Sequence, residues 1–224
     1  TATIIGDFEK DATLSLIAKY FGEHEKSSHE IPEVYTEEPV QEGPRRVVVK
    51  RSGQSGITAV AHKTPPGLDN DTYAIQVLGK ILCDGKSSRL YKKIVDTGLA
   101  TSLFMYDFPF KDNGLFITYA FLTPETDNQT VEDIIISEYN DIVKNGVDEK
   151  EILRAVAQIR ATVAFSRDGS YAVASALNEA IAIGDWEFYT TFLDKINLVT
   201  VNDIKRVACK YLIEDQSTIG WFIP

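Results

Sequence analysis

Apolar residues along this chain recur in two rhythms, one near every second position and one near every third or fourth, and the switches between them predict its elements. Ala74, Leu78, Ile81 and Leu82 repeat at helical spacing until Gly85 stops the run. A short second helix follows, with Leu90 and Ile94 on its buried side. Ser87 or Ser88 is its N-cap, since a serine hydroxyl can accept from an orphan backbone N–H, and Gly98 is its end. Residues 99–108 are apolar, aromatic and β-favouring. The turn 111–114, with Asn-Gly at its centre, predicts a hairpin to a second strand over 115–123. Upstream, residues 1–8 read as a strand, and Leu14, Ile17, Ala18 and Phe21 mark one helix face stopped by Gly22. Residues 45–51 and 57–62 read as strands around the Gly-rich turn 52–56. Pro65, Pro66 and Gly67 then break the chain, and 69–71 supply helix-start chemistry.

Past Pro124 the pattern is helical. Val131, Ile135, Tyr139 and Ile142 form one stripe. Asp148 with Glu151 reads as a capping box before Ile152, Val156, Ile159 and Val163. Val173, Leu177, Ala180 and Ile181 form a third stripe, and Thr200 with Asp203 caps a helix carrying Ile204, Val207, Ala208 and Tyr211. A last strand spans 217–222. Together these predict an α+β fold, an antiparallel or mixed sheet covered by several helices.

Composition narrows the partners. At 224 residues with 44% hydrophobic side chains a sizeable core is within reach, as one large domain or two small ones. A net charge of −10 argues against nucleic acid and anionic membranes as partners. No apolar run approaches the roughly 20 residues a membrane span needs. The chain begins without Met inside a strand-like run, as expected of a fragment. Cys83 and Cys209 sit in helical patterns and read as small apolar side chains. The polar, acidic stretch 23–44, with Pro32 and Pro39, lacks either rhythm and reads as a linker.

Candidate chemistry is sparse. Gly85-Lys86-Ser87 looks like the tail of a phosphate-binding loop. That motif needs glycine six residues before the lysine and a preceding strand, whereas position 80 is Lys80 and a helix precedes. An unrelated α+β binding domain in which this turn touches a small anion is the reading it leaves. His24 and His29 are five residues apart, so they do not share the helix face that a His-Glu-x-x-His zinc site requires, and His62 stands alone in a strand.

Ser87-Ser88-Arg89-Leu90-Tyr91, a short basic helix, then Gly98-Leu99-Ala100 entering a strand resembles the insulinase/pitrilysin-type zinc metallopeptidases, which include the mitochondrial processing peptidase. Gly6-Asp7-Phe8, Tyr20-Phe21-Gly22 and Gly146-Val147 before a Glu-rich helix start agree with it in order, and 217–222 echoes 2–8. The resemblance implies tandem α+β repeats, with 1–22 the terminal strand and helix of a preceding repeat, 23–44 a linker, and 45–224 a complete C-terminal repeat. The family binds zinc through His-x-x-Glu-His, which occurs nowhere in this chain. The resemblance therefore implies the non-catalytic half, inactive alone. It would hold no cofactor itself, zinc lying in a catalytic half on the same chain or a partner subunit, and it would help enclose extended peptides. A structural subunit without peptidase activity is the alternative. Many members place an Arg and, seven residues on, a substrate-contacting Tyr after this segment. Here those positions fall near Val95 and Thr101, so no catalytic residue is assigned. The implied substrate-contact candidates are Ser88, Arg89, Thr101 and Tyr106. The expected setting is soluble, in a bacterial cytoplasm or periplasm.

Overall fold

A computed structural model describes residues 1–25, 27–30, 32 and 39–224. Its strands are β1 (Arg45–Lys50), β2 (Ile57–Pro66), β3 (Ala100–Phe108), β4 (Asn113–Leu122) and β5 (Ser217–Ile223). Its α-helices are α1 (Lys10–Phe21), α2 (Asp71–Cys83), α3 (Asn128–Asn145), α4 (Glu149–Ser166), α5 (Ser170–Ile183), α6 (Glu187–Asn197) and α7 (Val201–Tyr211). The five strands form one mixed sheet in the order β1-β5-β2-β4-β3, β1 running parallel to β5 and every other pair antiparallel. The α+β expectation holds.

Alternation along the strands sends one face to the core. Thr58, Val60 and His62 of β2 and Phe116, Thr118, Ala120 and Leu122 of β4 are buried beneath the helices. Apolar faces of α2, α3 and α7, carrying Leu78, Ile81, Leu82, Val131, Ile135, Ile142, Ile204 and Val207, complete that core, with α4 and α6 outside α2. Several buried polar groups find partners that fasten helices to the sheet. The Tyr139 hydroxyl donates to Thr118 Oγ1 at 2.7 Å, and the Asn128 amide donates to Ile57 O at 2.9 Å, fastening the start of α3 to β2.

Local capping matches the sequence reading. Asp148 with Glu151 and Thr200 with Asp203 both close reciprocal capping boxes. Asp71, in the first turn of α2, ties α7 down: its carboxylate accepts from Arg206, from Lys210 Nζ at 2.8 Å and from the Tyr211 hydroxyl at 2.7 Å. Burial pushes this carboxyl up, but the three hydrogen bonds outweigh it and hold the group down at about 2.

Four expectations are corrected. Residues 1–8 form no strand: Thr3 Oγ1 donates to Asn178 Oδ1 of α5 at 2.6 Å, and Ile4, Ile5 and Phe8 stay exposed, away from any sheet edge. Extended backbone becomes a strand only where a ladder partner exists. Strand β2 does not end at His62 but continues to Pro66, taking up its prolines past a register shift between Thr64 and Pro66. The Ser88 hydroxyl does not accept an orphan N–H but donates to Gly85 O at 2.8 Å. The helix after it widens, with the N–H of Asp96 bonding to Tyr91 O and that of Leu99 to Ile94 O, five residues back. Lastly, Asn113 and Gly114 are not at a turn centre but open β4, pairing with Pro66 and Thr64 of β2, and the connection from β3 runs over 109–112. The stripes also leave α6 unnamed, though Phe188, Phe192 and Ile196 give it a helical apolar face. Part of the 23–44 linker reading falls on 26, 31 and 33–38, outside the described residues.

Candidate functional site: the open face of the sheet

The second face of the sheet carries an apolar surface that alternation must produce and that the described helices leave open. Ile57, Ala59 and Ala61 of β2 and Ile117, Tyr119 and Phe121 of β4 are only half-buried there. On β3 the residues Phe104, Tyr106 and Phe108 are exposed at 43%, 44% and 37%. Period-two placement of aromatics on two paired strands stacks them. Phe110 lies over Phe108 (5.9 Å between ring centroids, planes 5° apart), Phe108 over Tyr106 (5.6 Å, 9°) and Tyr106 over Tyr119 (5.5 Å, 7°). Phe104 and Phe121 meet Tyr119 and each other at steeper angles.

Chemically, this is an aromatic shelf along an edge strand. Ring faces offer apolar area at low conformational-entropy cost, as binding surfaces do. An exposed aromatic cluster of this kind marks a contact surface rather than an accident of composition. The β3 backbone also presents one unpaired ladder side, since β3 ends the sheet.

The four candidate residues from the sequence do not converge. Tyr106 sits in the middle of the aromatic stack. Thr101 lies on the same edge strand, at the irregularity between Ala100 and Ser102, its hydroxyl donating to Phe121 O at 3.2 Å. Ser88 is fully buried. Arg89 is enclosed by the helical layer. Its Nε and Nη2 donate to the two oxygens of Glu151, each at 2.7 Å, and its Nη1 donates to Asp141 at 3.0 Å and Glu138 at 3.2 Å. Hydrogen bonding to Glu151 raises this guanidinium further above its ordinary value and keeps it charged. Phe104, Phe108, Phe110, Tyr119 and Phe121 were not among the candidates. Aromatics at 104, 106, 108 and 110, each two apart, are the sequence signal that marks them.

Two titratable groups lie on the core side. Burial lowers His62, wedged edge-on against Tyr139, to about 4, so its imidazole is neutral at pH 7. Asp107, inward from β3, is raised by burial to about 6 despite the 2.7 Å hydrogen bond from Gln76 Nε2. Among the described residues no three His, Cys, Asp or Glu side chains group to hold a metal ion, so the residues present do not fit a zinc site. No described helix is long and apolar enough to cross a membrane.

Residues 1–159 match the family model described as the peptidase M16 inactive domain. The chain is 26% identical over 225 residues to the zinc protease PqqE of Helicobacter pylori, an alignment covering 99% of this chain and 50% of that protein. A protease structure from Helicobacter pylori superposes with a TM-score of 0.91 at 26% identity, over 98% of this chain and 54% of that one. The peptidase M16 inactive domain from Pseudomonas fluorescens shares the fold, with a TM-score of 0.73 at 18% identity over 84% of this chain and 45% of that one. The chain spans about half the length of the first of these relatives.

Proposed function

This chain belongs to the peptidase M16 family as its inactive, non-catalytic C-terminal domain, and from that membership we propose that it encloses extended peptides hydrolysed by a zinc-bearing half. The observation that carries the reading is the aromatic stack Phe110-Phe108-Tyr106-Tyr119 on an open sheet face. A peptide laid along that face buries its side chains on the rings. An edge strand beside it supplies main-chain donors and acceptors. Zinc and the water it activates belong to the partner half, and this chain contributes area and orientation.

The same reading divides the chain into the end of a preceding repeat (1–22), a linker (23–44) and a complete repeat (45–224). In support, α1 buries no side chain, whereas the whole sheet is built from Arg45 onward. Tyr106 and Thr101 are then substrate-facing, and Ser88 and Arg89 brace the helices behind the sheet. Bacterial relatives support a bacterial setting, in cytoplasm or periplasm.

The test is reconstitution with a half carrying His-x-x-Glu-His, read by hydrolysis of a quenched fluorescent peptide and by peptide anisotropy on the chelator-treated complex. Peptide binding that weakens when Tyr106 is changed supports the reading. A stable complex with neither binding nor hydrolysis would overturn it and leave the structural-subunit role.

A further inference from the structure

The sheet has a second edge, chemically unlike β3. Strand β1 closes the opposite end and pairs on one side only, with β5. All six of its residues are exposed, Val47, Val48 and Val49 at 53%, 44% and 41%. Apolar β-branched side chains along an unpaired ladder edge are a template for another strand, and charge is the usual guard against the wrong one.

The charges here have a definite layout. Residues 45–51 read RRVVVKR, four positive side chains in seven within a chain of net charge −10. Alternation divides them between the two faces. Arg46, Val48 and Lys50 belong to the helical side, where Arg46 is committed. Its two Nη groups donate to Glu132 at 2.8 and 2.6 Å, and its guanidinium lies 4.6 Å over the Trp221 ring. Arg45, Val47 and Val49 are in register with Thr218, Gly220 and Phe222, which pair in turn with Ala61, Ala59 and Ile57 of the open face. Arg51, its N–H bonding to Ile223 O at 3.1 Å, continues that alternation. Among the described residues no carboxylate pairs with Arg45 or Arg51. The cleft at the start of β1 also holds Asp133 and Glu214, both beyond ion-pair distance of Arg45.

On its open side the edge therefore presents arginine, valine, valine and arginine at every second position. A second copy of β1 laid antiparallel against it would bring 45 opposite 51, arginine facing arginine at both ends, and like charges directly opposite are destabilising. A strand with the complementary strip, acid-x-apolar-x-apolar-x-acid, sets a carboxylate opposite each arginine and an apolar side chain opposite each valine. Main-chain hydrogen bonds then supply affinity, and the strip supplies the choice of partner.

We propose that β1 receives an extended segment of that pattern, from a partner protein, as an added strand. The site lies at the opposite edge of the sheet from β3, goes beyond the peptide-enclosing reading and does not depend on it.

The experiment titrates a fluorescein-labelled peptide, ETVTVTE, against the 224-residue chain by anisotropy, with KTVTVTK as its counterpart. The chain's overall negative charge favours the basic peptide, so the opposite preference reports the local arginines. The expected result is saturable binding of ETVTVTE, at least about tenfold tighter than KTVTVTK and weakening as salt rises. The double variant Arg45→Glu, Arg51→Glu, changed at exposed and unpaired positions, should reverse the preference. Hydrogen exchange on the unaltered chain should show new amide protection over 45–51 at peptide saturation, a reading that needs no variant. Equal binding of the two peptides, or protection confined to β3, would overturn the proposal. So would a dimer in sedimentation that the double variant dissolves, which would give β1 to a second copy of the chain.

Discussion

Tyr106 and Tyr119 stack across the β3–β4 ladder diagonally: Tyr106 pairs in register with Ile117, and Tyr119 with Phe104, yet the two rings lie 7° from parallel at 5.5 Å. Diagonal pairs are within reach of aromatic side chains. This contact joins the run along β3 to the face of β4 and makes one surface of two strands.

Removing a ring from that surface tests its role. Tyr106→Ala should weaken peptide binding by the reconstituted complex about tenfold, with little change in unfolding temperature, because the residue is already solvent-exposed. Unchanged affinity by anisotropy would remove the aromatic stack from the binding surface.

Arg89 should matter for stability. Glu138 is nearly inaccessible, and deleting the guanidinium leaves it Lys93 alone and Glu151 without its two-pronged partner, so Arg89→Met should cost about 3–5 kcal/mol in urea unfolding. Arg89→Lys keeps the charge but loses the two-pronged contact with Glu151, and should recover only part of that loss. Full recovery by lysine would mean that charge alone suffices.

Asp107 and His62 should pull stability in opposite directions with pH. Asp107 rises from 3.8 to about 6 on folding, so between those values the folded state binds more protons. Its contribution is fully present below about 4 and lost as pH rises through 6. Asp107→Asn should therefore stabilise the chain by about 1–2 kcal/mol at pH 8 and flatten that slope. His62 falls from 6.5 to about 4, so the unfolded state binds more protons in that window, and stability falls on acidification. His62→Gln should remove that acid loss. Urea midpoints of the two variants across pH 4–8 read both signs.

Gly114 is required by close approach. A Cβ there would stand 2.0 Å from Phe108 O, across the hairpin. Gly114→Ala should shift the β3–β4 register and cost about 2–3 kcal/mol, visible as lost amide protection along β3. A variant with native protection would show that the turn absorbs the methyl group.

The legible parts were those set by near neighbours. Asp148 with Glu151 and Thr200 with Asp203 announce helix starts because a cap needs only residues three apart. The hairpin was legible for the same reason, though its connection lies over 109–112 and Asn113 and Gly114 belong to β4, where pairing with β2 claims them. Arg89 was legible only as part of a motif. Its partners lie 49 to 62 residues downstream, so no local pattern could say that it faces carboxylates rather than substrate. The aromatic surface was half legible: spacing of two places Phe104, Tyr106, Phe108 and Phe110 on one side of a strand, but alternation alone does not say which side the helices cover.

By itself, then, the sequence determined the helix and strand types, their caps, the hairpin and the family, because these follow from periodicity and from short motifs. Only the tertiary structure decided that β5 enters between β1 and β2, that residues 1–8 form no strand while Thr3 bonds to Asn178 of α5, and that one face of the sheet stays open. Each of those depends on which distant segment satisfies backbone hydrogen bonds and apolar area, a competition among long-range partners that local pattern does not encode.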